Sequence, residues 1–106
     1  PVNNGQTKYP DVFINIHAEE LFVELFEFLV KEKTEIADCS FIYFSMKKDR
    51  YLVKDLKHNT FISFLNLNFN TSLSVEKLSF KNQETHQKVY SRLKSLFDAD
   101  IKNFSS

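Results

Sequence analysis

Glycine is nearly absent: Gly5 is the single example in 106 residues. A tight loop that cradles phosphate needs glycine to bring backbone N–H groups against the ligand, so that class of site is excluded. Cysteine is equally scarce. Cys39 stands alone, which rules out an internal disulfide. Secreted domains of this size more often carry several bridges, so the cytoplasm is the expected compartment. A membrane span needs about 18 consecutive apolar residues, and no such run exists. The richest stretch, Leu21 to Val30, is interrupted by Glu24 and Glu27. The first eleven residues are polar and turn-like, without the pattern of a signal peptide. A dominant charge is also lacking, since fourteen Lys and Arg offset fourteen Asp and Glu. Nucleic-acid binders usually carry a basic excess, so the balance argues against that role except through a local patch.

What the chain has in quantity is phenylalanine, twelve of them. That is a large apolar payload for a domain this small, and it predicts a ring-packed interior. The length suits one domain, with a core large enough to need neither metal nor disulfide. Residues 1–11 read as an irregular lead-in and residues 12–106 as a single domain. Phe, Ile, Lys, Tyr and Asn are all used heavily, as AT-rich codons would produce.

Val12 to Ile16 is a β-branched and aromatic run, expected to be a first strand. Ala18 to Lys33 is the clearest helix. Ala18, Leu21, Phe22, Leu25, Phe26 and Leu29 form its apolar stripe, which Phe28 widens. Ser40 to Lys47 alternates as a strand, with Phe41, Tyr43 and Ser45 on one face and Ile42, Phe44 and Met46 on the other. Lys47 to Arg50 reads as a charged turn, and Tyr51 to Leu56 as the returning strand of a hairpin without the Asn-Gly signal. Thr60 to Asn70 alternates best, with Phe61, Leu65, Leu67 and Phe69 on one face. Asn66, Asn68 and Asn70 lie on the other. Leu73 to Phe80 is a weaker strand. Asn82 is the expected N-cap of a last helix from Gln83 to about Asp98, whose inner stripe is His86, Val89, Leu93, Leu96 and Phe97. The order β-α-β-β-β-β-α predicts an α+β two-layer sandwich. Its sheet has about five mostly antiparallel strands, with two helices on one face. That order resembles the TATA-binding-protein-like architecture, in topology only.

Few motifs carry chemistry. His17, His58 and His86 match no zinc spacing, and no metal or other cofactor is expected. Cys39 beside a histidine would need a depressed thiol pKa to act as a nucleophile, and Asp38 works against that. No enzyme is expected. Glu20, Glu24 and Glu27 share one helix face and form a candidate docking surface for a basic partner. The Asn66–Asn68–Asn70 ladder is a second candidate recognition surface. Lys47, Lys48, Arg50 and Lys54, flanked by Tyr43 and Tyr51, form a basic, aromatic hairpin that suits single-stranded nucleic acid. Asp49 and Asp55 dilute it.

These features point to a non-enzymatic protein-interaction module. Its expected form is a toxin-neutralising immunity protein or antitoxin that meets a basic toxin domain, as a monomer or homodimer. The alternative is a small nucleic-acid-binding or regulatory domain using the open sheet and the basic hairpin. A third possibility is an apolar-ligand pocket between sheet and helices.

Overall fold

A computed structural model describes residues 7–30, 35–74, 78 and 83–105. They form four helices: α1 (Ile16–Leu29), α2 (Ile36–Lys48), α3 (His58–Asn68) and α4 (Glu84–Ser105). No strand occurs among the described residues, so the expected α+β sandwich with its antiparallel sheet is wrong. The topological likeness to TATA-binding-protein-like domains goes with it. One trace of the expected pairing survives. Phe13 and Leu52 form an isolated antiparallel bridge. Ile14 N–H donates to Tyr51 O at 3.2 Å, and Val53 N–H to Val12 O at 2.9 Å. The segments expected as first strand and returning strand therefore touch, but for the length of one bridge.

α1 begins where Asn15, in extended conformation, caps it by accepting from Ala18 N–H at 3.0 Å. That satisfies one of the donors left open at a helix start. The same side chain donates to Ile101 O at 2.8 Å, tying the start of α1 to the far end of α4. Ala18, Leu21, Phe22, Leu25 and Leu29 face inward, as their spacing predicts. Phe28 does not join them; it is 56% exposed. The helix ends at Leu29, and residues 31–34 lie outside the described part.

α2 replaces the expected strand from Ser40 to Lys47. Cys39, Ser40, Phe41, Ile42, Tyr43, Ser45 and Met46 are all buried, so the helix is wrapped on every side. A helix buried all round carries no one-sided stripe, and its residues then alternate as readily as a strand's. The end of α2 is closed by the following turn. Arg50 takes a left-handed φ of 65°, and its N–H donates to Lys47 O at 3.1 Å while Tyr51 N–H donates to Met46 O at 2.9 Å. This is a Schellman closure with arginine where glycine is preferred.

α3 replaces the best-alternating segment. Phe61, Ile62, Phe64 and Leu65 are buried, which is the helical set rather than one face of a strand. Leu67 separates the two readings. A strand places it beside Leu65 and Phe69; on the helix it is 82% exposed. Asn70 closes this helix with φ 55°, a conformation asparagine tolerates. The expected strand from Leu73 to Phe80 is irregular where described.

α4 starts near the expected place and runs seven residues beyond Asp98, to Ser105. The expected cap Asn82 lies outside the described residues. The buried face is rotated from the expected one. Tyr90, Leu93 and Ile101 are buried, while Leu96 is 68% exposed. α1 packs along α4 more extensively than along α2. Side chains from all four helices meet in one apolar core. Its centre is Phe22, whose ring lies 5.2–5.9 Å from those of Phe13, Phe26, Phe61, Phe64 and Phe69.

Candidate functional site: a basic groove at the end of α2

The last turn of α2, its left-handed closure and the bridge that follows bring four cations together. Lys47, Lys48, Arg50 and Lys54 line an open groove of about 540 Å3 with Ile14 and Leu52. Ile14 is half-buried and Leu52 lies beneath the surface. Lys48, Arg50 and Lys54 are exposed. None of the three side chains has a hydrogen bond or ion pair to another described residue. Lys47 differs. Its ammonium turns inward, donating to Leu56 O at 2.7 Å and to Tyr43 Oη at 3.0 Å.

Two features keep the groove positive. Asp49, expected to dilute the patch, faces the other way: its Oδ2 accepts from Tyr90 Oη at 2.5 Å and lies 3.2 Å from Lys94 Nζ. Some of the carbonyls that would make a helix C-terminus repel anions are occupied. Ser45, Met46 and Lys47 oxygens accept from Asp49, Tyr51 and Arg50 N–H groups respectively.

The basic run therefore comes together at a helix end instead of the expected hairpin tip, and its aromatic companions do not join it. Tyr43 is buried and donates to Leu56 O at 2.7 Å. Tyr51 is buried and donates to the Asp98 carboxylate. Neither lines the groove.

The other expected sites are dispersed. Glu20, Glu24 and Glu27 do share the outer side of α1; Glu20 and Glu27 are exposed and Glu24 is half-buried. Glu20 pairs with His17 Nδ1 at 3.0 Å. The asparagine ladder is broken up. Asn66 is an internal fastener: it accepts from Thr71 Oγ1 and from Leu73 N–H, and donates to Leu73 O. Asn68 donates to Phe64 O within its own helix at 3.0 Å, and Asn70 is exposed at the turn.

The three histidines do not converge. His58 accepts from Leu78 N–H at 2.8 Å and packs on the Tyr43 ring. His86 Nε2 lies 2.7 Å from Asp38 Oδ1, a pairing across 48 residues that spacing rules do not reveal. In hydrolases a His–Asp pair presents its other ring nitrogen to a nucleophile. Here that nitrogen, Nδ1, is buried with no hydrogen-bond partner among the described residues. Burial, helped by the charge of Asp38, pushes the Cys39 thiol up to about 12, which leaves it protonated at neutral pH. No group of three metal-binding side chains occurs among the described residues. None of the described helices is long and apolar enough to cross a membrane.

The tyrosine–carboxylate pairs were also hidden in the sequence. Tyr90 reaches Asp49 across 41 residues, and Tyr51 reaches Asp98 across 47. Burial, reinforced by the hydrogen bond to a carboxylate, pushes both phenols well above their ordinary range. The hydrogen bond from Tyr51 holds the Asp98 carboxyl below its own.

Comparison with known proteins gives no match: no family model, no curated protein and no solved structure is significantly similar to the chain.

Proposed function

We propose that the protein is a non-enzymatic binding module whose basic groove takes an anionic partner. The observation that carries this reading is the convergence of Lys48, Arg50 and Lys54, all exposed and with side chains unpaired among the described residues, on a groove with an apolar floor. Three exposed cations clustered in a protein of zero net charge attract negative charge and steer its approach. The protonated thiol of Cys39 and the enclosed ring nitrogen of His86 favour binding over catalysis. The test is retention on heparin. The wild type should elute at higher salt than a Lys48→Glu/Lys54→Glu variant, because exposed charges act through a screened field. Elution of the two at the same salt removes the groove from the function.

The acidic side of α1 supports a second surface. Phe28, 56% exposed, follows Glu24 by four residues and so extends the Glu20–Glu24–Glu27 strip with an aromatic anchor. This arrangement suits a basic toxin domain and keeps the toxin-neutralising reading as a proposal. Co-expression with the product of an adjacent toxin-sized reading frame should give a complex that survives purification. Glu20→Lys with Glu24→Lys should slow its formation at low salt; an unchanged rate excludes this surface.

A further inference from the structure

The groove is selective in what it offers. It has three cations on its rim whose side chains have no partner among the described residues, an aliphatic surface at Ile14 with Leu52 behind it, and no aromatic ring among its described lining residues. Single-stranded nucleic acid is gripped by stacking bases on rings as well as by pairing phosphates with cations. The two rings that flank the basic run, Tyr43 and Tyr51, are both 1% exposed and face the interior. A nucleic acid would therefore find charge here without a stacking platform. It would also find few charges, because four cations within eight residues neutralise a short stretch of backbone only, in a chain with no net charge.

An acidic protein segment uses everything present. A carboxylate fits the planar fork of Arg50 with two parallel hydrogen bonds. Neighbouring carboxylates reach Lys48 and Lys54. An aliphatic side chain between them covers Ile14, which is otherwise left half in water. Resting on the anion-binding reading above, we infer that the groove's partner is a short acidic peptide segment carrying an aliphatic side chain among its carboxylates.

Arg50 supplies an unusually clean test. It occupies a left-handed position where glycine is favoured, so Arg50→Gly removes the guanidinium while leaving the backbone at ease. The experiment is fluorescence anisotropy with three labelled probes of matched length: a peptide of alternating glutamate and leucine, polyglutamate, and oligothymidylate. The glutamate–leucine peptide should bind roughly tenfold more tightly than polyglutamate, the gain expected from burying one aliphatic side chain. Arg50→Gly and Lys54→Glu should each weaken it by roughly fivefold, as expected for loss of a solvent-exposed ion pair. Ile14→Ala should erase the preference for leucine, with circular dichroism confirming that each variant is folded.

Tighter binding of oligothymidylate than of either peptide overturns the inference and leaves the anion-binding reading standing. Equal binding of the two peptides also overturns it, since the aliphatic floor is then unused. Failure of all three probes ends both. Sedimentation of the free protein adds a further outcome. Self-association that disappears in Arg50→Gly would give the groove to the acidic α1 face of a second copy, against the inference.

Discussion

The Phe22 cluster and the seam between α2 and α4 hold the same molecule by different means. Around Phe22, rings from the segment before α1, from α1, α3 and the turn after it meet edge-on or tilted. Along the seam, hydrogen bonds and ion pairs stand beside the Phe41 ring, which packs on His86 and Tyr90. His86 meets Asp38, Tyr90 meets Asp49, and Tyr51 meets Asp98. Lys94 and Lys102 complete the two aspartates on α4's outer side. In chain order along α4 these partners advance from residue 38 to 49 to 51, so the seam fixes how α2 and the turn after it meet α4. Burial of rings is strong and non-directional; hydrogen bonds add less energy and more geometry. The cluster supplies cohesion, and the seam decides which arrangement is cohesive.

The largest expected difference comes from the centre of the cluster. Phe22→Ala should lower stability by about 3–5 kcal/mol, from lost burial and the cavity left behind. Urea unfolding measures it, and a loss under about 1 kcal/mol would mean that the rings are not the main source of cohesion. The seam should give less. Tyr90→Phe keeps the ring and removes a hydrogen bond to a carboxylate that Lys94 still pairs, so a loss of about 1–3 kcal/mol is expected. A loss equal to that of Phe22→Ala would erase the distinction between the two regions.

Alkali should act on the seam and on the buried Cys39 thiol. The Tyr51 and Tyr90 phenols hold their protons more tightly in the folded chain than in the unfolded one, whose phenols titrate near about 10. Their contribution is whole below that pH and is lost as pH rises above it. Asp98 works in the opposite sense, its contribution present above the ordinary carboxylate range and lost on acidification. Unfolding measured across the alkaline range should show falling stability in the wild type and a shallower fall in Tyr90→Phe. Identical slopes would detach Tyr90 from the effect. The smallest change should be a gain. Arg50→Gly relieves a left-handed residue and adds chain entropy to the unfolded state, for a net stabilisation of about 0.5–1 kcal/mol. A loss instead would show that the arginine side chain holds the fold as well as the groove.

The helices with one wet side were legible. α1 and α4 declare themselves through three- and four-residue spacing, although Phe28 and Leu96 turn outward from the stripes that their spacing predicts. The middle of the chain was misread for a physical reason. Seven buried residues in α2 leave no polar face to set a period. In α3, Phe61, Leu65 and Phe69 satisfy both a two-residue and a four-residue repeat, and only the exposure of Leu67 separates them. One signal was available against the sheet. After Pro10 the chain has neither glycine nor proline, whereas a meander of four strands needs several tight turns. The basic site was half legible: its cations are consecutive enough to be seen, but the inward turn of Lys47, Tyr43 and Tyr51 is not.

Composition and local order alone determined an aromatic interior, two amphipathic helices, a cation-rich stretch from Lys47 to Lys54 and the absence of glycine-built loops. Packing decided the rest. It made helices of the ambiguous middle, took Asn66 into the structure, turned Asp49 toward Tyr90, and left three cations around Ile14. Neighbours in sequence report burial on one side of an element; burial on all sides, and pairs 41 to 48 residues apart, depend on what the rest of the chain brings alongside.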